Sequence, residues 1–515
     1  MIVPLTLADF VDRAELVYGE REAIVDEPNP PGGGLGRVTY RRFAAMCRSL
    51  AAALDELGVG EGERVAIVSP NAARFLVSLF GVSVFGRILV PVNFRLNAEE
   101  IRYIIEHSGS TVALIDPELE ESLRAIPVKH RIILGAASDA QLLGRRDARP
   151  RFGVTDENAT VSINYTSGTT ARPKGVQLTH RGCWLNAVTF GWHVGVTDRD
   201  VYLHTLPTFH CNGWGMPYAV TAMGARQVII RKIDGEEILR RVEAEGVTLF
   251  NCAPAVINAV LDAAAARRKR GEAVPGKGRV RVVVAGAPPP TRMIEQMETE
   301  LGWEFIQIYG LTETAPLLTM SRGREEWDAL TPAQRAQKLG RAGAPALGVR
   351  MSLSDQGEVL ARSNVVLEGY WQQPEATADA LAGGWFHTGD GGTIDDEHHL
   401  TISDRKKDVI ISGGENVSSI EVEDCLYQHP AVAEACVIGV PDEKWGETVK
   451  ALIVLKPGAD ATEADLITHC RDNLTHFKCP TSIDFRGEFA RTSTGKLQKF
   501  KIRAPYWEGR ERQVN

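Results

Sequence analysis

Residues 165–176 read "YTSGTTARPKGV". Four aliphatic hydroxyls (Thr166, Ser167, Thr169 and Thr170), two glycines and Lys174 follow directly on a short apolar stretch. Gly168 and Gly175 let backbone amides turn inward, the hydroxyls donate to oxyanions, and Lys174 adds a mobile positive charge. These ingredients suit a phosphate-holding loop. The Walker spacing GxxxxGK[ST] is not met, because Pro173 stands at the second glycine and Gly175 follows Lys174. A P-loop nucleotidase is therefore disfavoured. Taken alone, the stretch is equally a polar surface loop.

Outward from the loop, strand and helix patterns alternate. "TYRRFAAMCRSLAAALDELGV" reads as a helix capped by Thr39, and "RVAIVSP" as a buried strand. "AARFLVSLFGVSVFG" is an apolar helix and "RILVPVN" another strand. "NAEEIRYIIEHSG" is a helix capped by Asn97, with Glu99 and Glu100 in its first turn. "VYLHTLP", "QVIIRKI", "GVTLFNCAP", "VRVVVAGAPPP" and "EFIQIYG" continue as short apolar strands. Such alternation predicts parallel sheets covered by helices, with ligands at the carboxyl ends of the strands.

The chain has 515 residues, about three times a common domain length, so two or more domains are expected. The net charge of −8 gives no bulk attraction for nucleic acid or an anionic membrane. Eight cysteines without a CxxC pair read as reduced thiols. The N-terminal stretch is broken by Asp9, Asp12 and Arg13 and does not read as a signal peptide. The ending "ERQVN" is not a peroxisomal address, and no apolar run is long enough to span a bilayer. A cytoplasmic location is expected, and a homodimer is compatible with these features.

Four further motifs follow. In "IQIYGLTETAP" (306–316), Thr312 and Glu313 stand just past a strand, where a lone carboxylate suits Mg²⁺ or simply starts a helix. In "WFHTGD" (385–390), Asp390 follows a glycine turn and can accept two ribose hydroxyls. "DRKKDVIISGGENVSSIEVE" (404–423) is a charge cluster after the long α/β body. "TSTGKLQK" (492–499) presents Lys496 beside a glycine turn.

In this order the motifs resemble the adenylate-forming superfamily of acyl-CoA synthetases, nonribosomal-peptide adenylation domains and beetle luciferase, over essentially the whole chain. The resemblance implies an α/β fold: a large N-terminal domain (1–404) of helix-covered, mostly parallel sheets plus a barrel-like subdomain. A small α+β C-terminal domain (405–515) follows on a hinge at Lys407. It implies that Thr166, Ser167, Gly168, Thr169, Thr170 and Lys174 bind the ATP phosphates. Glu313, with Thr166, holds Mg²⁺, and Thr312 neighbours the phosphate. Gly286, Ala287, Tyr309 and Gly310 flank adenine, while Asp390 and Arg405 hold ribose. Lys496 contacts the carboxylate and α-phosphate. After domain rotation Gly413 and Gly414 line the pantetheine tunnel, and Trp445, Phe477 and Lys478 resemble residues that meet the coenzyme A nucleotide.

"HTLPTFHCNGWGMPYAV" resembles the acyl site, lined by His210, Gly213, Trp214 and Gly310, with His210 gating it beside the carboxylate. No acidic residue there suits an amino-acid amine, so a fatty or aromatic acid is expected. Trp214 favours medium-length or aromatic acids. The implied reaction is ATP-dependent activation of a carboxylic acid and transfer to coenzyme A. The alternative is loading of a carrier protein or activation of a bulky specialised acid. Ala171 replaces a usual glycine without removing a ligand. Ile411 stands where luciferase-like members carry lysine, which argues against a light-emitting oxidase.

Overall fold

The computed structural model describes residues 1–508 apart from 146, 167–171, 406–407, 413–414, 443–444 and 492–496, and apart from the side chains of 404, 405 and 416. Two large sheets dominate. One has seven strands, five of them parallel, in the order Thr160–Thr166, Ile88–Val92, Arg64–Val68, Ser110–Ile115 and His130–Ile133. The other has nine strands, six of them parallel: Glu304–Gly310, Arg281–Val284, Leu249–Cys252, Val201–His204, Arg226–Ile229 and Glu22–Val25. Antiparallel strands finish the edges.

The helices form as the sequence dictates. Thr39 caps Tyr40–Glu56 by accepting from the Arg42 amide. Asn97 and Glu100 make a reciprocal capping box for Ala98–Ser108, which Gly109 ends in the left-handed region. Ala73–Ser83 is buried all round, as its apolar sequence requires. While Ala98–Ser108 packs on a second core on the seven-stranded sheet, one apolar core unites Tyr40–Glu56 and Ala73–Ser83 with the inner faces of both sheets. Inside it Arg87, fully buried, pairs with Asp55 and donates to the Val59 carbonyl at 2.7 Å. The proline- and glycine-rich stretch 29–36 is tied down: the Gly33 carbonyl accepts from Arg74 at 2.7 Å and the Gly32 carbonyl from the Ala136 amide.

Where a barrel-like subdomain was expected, Arg350–Leu353, Glu358–Arg362, Phe386–Ile394 and Leu400–Arg405 form a wholly antiparallel four-stranded sheet. Residues 410–485 build a fifth-strand-completed sheet with Val432–Asp442 and Gly446–Leu455 at its centre, covered by helices Ser419–Gln428 and Glu463–Asn473 over a core of its own. Asp424 on this body accepts from the amide and hydroxyl of Thr291 at 2.9 and 3.1 Å. Among the described residues no helix is long and apolar enough to cross a membrane.

Candidate active site

Thr166, Gly286, Tyr309, Gly310 and Glu313 stand at or just past the carboxyl ends of parallel strands, where such folds hold ligands. Thr160–Thr166 and Lys174–Thr179 form a hairpin with Thr166 opposite Lys174. Ser167, Gly168, Thr169 and Thr170 lie outside the described residues. The Lys174 ammonium stands 4.7 Å from the centroid of the Tyr370 ring. The Tyr370 hydroxyl donates to Glu313 Oε1 at 3.0 Å. One tyrosine therefore joins the loop lysine to the carboxylate.

Pairing explains this convergence. Tyr370 sits opposite Val176 on the hairpin, and the Leu367 amide donates to the Glu313 carbonyl at 2.7 Å. Burial, with the Glu313 charge beside it, pushes the Tyr370 hydroxyl far above its ordinary pKa and keeps it a donor. Glu313 lies on the turn Thr312–Thr314 after Gly310. A Cβ on Gly310 would fall 1.6 Å from the Pro316 carbonyl oxygen, so only glycine fits that approach.

One residue before Gly310 on the same strand, the Tyr309 hydroxyl donates to Asp390 Oδ2 at 2.8 Å. Asp390 is buried and sits opposite Arg405 in the strand register. Gly286, with φ of 94°, and exposed Ala287 follow the adjacent strand.

His210, half-buried, leads into five consecutive left-handed residues, Cys211 to Gly215, with φ from 45° to 73°. Three of them are not glycine, which strains the turn by about 1–2 kcal/mol per residue. Buried side chains hold it. Asn212 Nδ2 donates to Ser162 Oγ at 2.9 Å and to the Tyr218 hydroxyl at 3.1 Å, and the Cys211 thiol meets the Thr312 carbonyl at 3.9 Å. Gly213 lies in the turn, and Trp214 is buried in the apolar core with Phe209.

Trp445 and Phe477 stand half-exposed on the C-terminal body, and Lys478 pairs with Glu421 at 2.7 Å. Lys407, Gly413, Gly414 and Lys496 lie outside the described residues, as does the Arg405 side chain.

Sequence reasoning missed Tyr370, which "EGYWQQP" does not advertise. It also missed Asn71. The Asn71 amide donates to the His204 and Leu206 carbonyls at 2.7 and 3.0 Å, and its oxygen accepts from the Thr208 amide at 2.8 Å. That clamp fixes the loop leading to His210. An asparagine just after a strand, in "SPN", was the available signal.

The AMP-binding enzyme family model matches residues 11–371, and its C-terminal domain model matches 421–496. The chain belongs to the AMP-binding enzyme family. Among AMP-binding relatives, it is 35% identical to the butyrate–CoA ligase AAE11 of Arabidopsis thaliana, a peroxisomal protein, over 97% of this chain and 93% of that one. It is 36% identical to 4-hydroxybutyrate–CoA ligase 2 of Metallosphaera sedula, over 97% and 94%. The anthranilate CoA ligase AuaEII, crystallised with anthranoyl-AMP, superposes with a TM-score of 0.87 over 98% of both chains at 25% identity. The adenylate-forming resemblance and the α/β fold read from the sequence both hold.

Proposed function

We propose that the chain is an AMP-forming acid–CoA ligase acting on a short-chain or aromatic carboxylic acid. The observation that carries this reading is the Lys174–Tyr370–Glu313 convergence at the strand ends of an AMP-binding enzyme. A carboxylate is a poor electrophile, because its charge repels nucleophiles and its oxide leaves badly. Attack of the carboxylate oxygen on the ATP α-phosphorus forms an acyl-adenylate and releases pyrophosphate. The coenzyme A thiolate then attacks the acyl carbon and AMP leaves.

Both reactants of the first step are anions, so the protein's task is positioning and charge neutralisation. Lys174 neutralises charge on the ATP phosphates, and the hydroxyls of Thr166, Ser167, Thr169 and Thr170 donate to their oxygens. Asp390, oriented by the Tyr309 hydroxyl, accepts from the ribose hydroxyls, and Arg405 donates to ribose oxygens. Lys496 bridges the reacting carboxylate and the α-phosphate. A single carboxylate with nearby hydroxyls fits Mg²⁺, which takes its remaining ligands from phosphates and water. Glu313, with Thr166, would hold it, and bound there it supplies positive charge to the phosphate oxygens. Tyr370 fixes the orientation of the Glu313 carboxylate in readiness.

His210, Gly213 and Trp214 line the acyl side in this reading, and relatives named for butyrate and 4-hydroxybutyrate support a small acid. Residues 1–404 and 405–515 act as two bodies, the second bringing Lys496 in for adenylation and Gly413 and Gly414 for thioester formation. The reading keeps the enzyme in the cytoplasm, although the plant relative is peroxisomal.

The test is mass spectrometry of products formed from ATP, coenzyme A and a panel of short-chain and aromatic acids. An acyl-CoA from at least one acid is expected. Adenylate without acyl-CoA, with transfer to a carrier protein's pantetheine, would replace this reading by carrier loading.

A further inference from the structure

Across the hairpin that carries the phosphate loop, Tyr165 pairs with Gly175 and Thr166 with Lys174. Strand alternation sets Tyr165 and Gly175 on the face opposite Thr166 and Lys174. The helix Ala98–Ser108 stands against that reverse face. Its Tyr103 and His107 lie one turn apart, with ring centroids separated by 5.2 Å. His107 Nδ1 is 2.8 Å from the Tyr165 hydroxyl. The Tyr103 hydroxyl donates to the Pro173 carbonyl at 3.4 Å, and the Arg172 guanidinium lies 5.4 Å from the centroid of the Tyr103 ring. One helix therefore touches both limbs of the hairpin, at Tyr165 on one side of the loop and at Arg172 and Pro173 on the other.

Burial sets the direction of the Tyr165 bond. It raises the Tyr165 hydroxyl above its ordinary pKa, and it lowers the His107 pKa, with the Arg172 charge adding to that fall. Tyr165 therefore donates, and the neutral His107 ring accepts. The contact is braced from behind. The Trp371 indole donates to the His107 carbonyl at 3.2 Å, and the Trp371 amide donates to the Gly175 carbonyl at 2.7 Å. Arg64, 5.5 Å from the centroid of the Trp371 ring, donates to the Ser108 and Gly109 carbonyls at 2.7 and 3.0 Å. A Cβ on Gly175 would fall 3.1 Å from Tyr165 Cζ and 3.2 Å from Trp371 Cβ, so glycine lets both side chains close over the hairpin. Trp371 directly follows Tyr370, so consecutive residues serve the two faces: Tyr370 meets Lys174 and Glu313, and Trp371 meets the helix.

We propose that His107 and Tyr103 are positioning residues for ATP: by holding both limbs of the hairpin from its reverse face, they keep Thr166 and Lys174 turned toward the phosphates. This rests on the acid–CoA ligase reading above. Both side chains act through the hairpin rather than on the nucleotide. A hairpin held in place before ATP arrives loses less freedom on binding, which raises affinity.

The experiment is calorimetric titration of the full chain with ATP and Mg²⁺ and, separately, with AMP; neither titration needs the acid to be known. Tyr165→Phe and His107→Phe each keep a ring and remove one partner of the bond. Each should raise the Kd for ATP about 5-fold or more, and the Kd for AMP, with its single phosphate, by less than about 2-fold. His107→Asn, whose carboxamide oxygen can stand where Nδ1 stands, should keep the Kd for ATP within about 2-fold of the natural chain. The double variant Tyr165→Phe with His107→Phe should bind ATP no more weakly than either single one, because both remove the same bond. Tyr103→Leu removes the hydroxyl and the ring under Arg172, and should weaken ATP with the same selectivity. An unchanged Kd for ATP in folded Tyr165→Phe or His107→Phe overturns the proposal and leaves the ligase reading standing. Equal losses for ATP and AMP also overturn it, and assign the pair to general packing, as do losses that add in the double variant. Tyr165→Phe deletes a single oxygen, so it tests the bond even where His107→Phe does not fold. Failure of the natural chain to bind ATP fails the ligase reading itself, and this inference with it.

Discussion

The Tyr370 hydroxyl is 3.0 Å from Glu313 Oε1 while the face of the same ring lies under the Lys174 ammonium. The tyrosine thus ties the hairpin loop to the turn that carries the carboxylate. Tyr370→Phe keeps the ring and removes the donor. Acid-dependent pyrophosphate release should fall about 10-fold and need more Mg²⁺, with Glu313→Gln falling by about 10²–10³. Initial rates against Mg²⁺ concentration check this. Tyr370→Phe with an unchanged rate and Mg²⁺ curve would mean that the hydroxyl does not position Glu313.

Tyr309 and Asp390 make the second link, between the nine-stranded sheet and the antiparallel sheet. Asp390→Ala should raise the KM for ATP about 10-fold or more, with Tyr309→Phe a milder version of the same change. Equal loss in kcat without a change in KM would argue against a ribose contact.

The Arg87–Asp55 pair is buried, and Asp55 also accepts from the Arg151 amide at 2.9 Å. Asp55→Ala leaves a buried guanidinium without its counter-charge and should cost about 3–5 kcal/mol of stability. Denaturant unfolding measures it. The double variant Asp55→Leu with Arg87→Met should recover most of that loss.

Stability should also fall with acid. Burial depresses the His204 pKa to about 4, and likewise that of His180 to about 4. His180 Nδ1 accepts from the Leu7 amide and His204 bonds Gln227 at 3.0 Å, geometries suited to neutral rings. In the unfolded chain both titrate near 6.5, so below that pH the unfolded state binds more protons. Stability is therefore complete above about pH 6.5 and lost as pH falls towards 4, by about 1.4 kcal/mol per pH unit for each histidine. His204→Gln should flatten the Tm profile in that window and leave it unchanged above pH 7.

Lys496→Ala should nearly abolish adenylate formation while sparing thioester formation from supplied acyl-AMP. Equal loss of both half-reactions would contradict the two-body assignment.

Much of this was legible because it is local. Thr39 and Asn97 announce their helices by capping chemistry, Glu313 stands just past the strand-ending Gly310, and Asp390 follows Gly389 within its strand. Tyr370 was not legible, because it reaches Glu313 across 57 residues through a two-residue strand added to the hairpin edge. Cys211, Asn212 and Trp214 carry no sequence sign of a left-handed backbone, and only Gly213 and Gly215 hint at it. Long-range pairing supplied what local pattern could not.

The most direct measurement is single-turnover pyrophosphate release with an accepted acid, first without and then with coenzyme A. The account predicts one equivalent of pyrophosphate per enzyme that depends on the acid, followed on addition of coenzyme A by AMP and acyl-CoA in equal amounts. Release of orthophosphate, or of pyrophosphate without any acid, would contradict it.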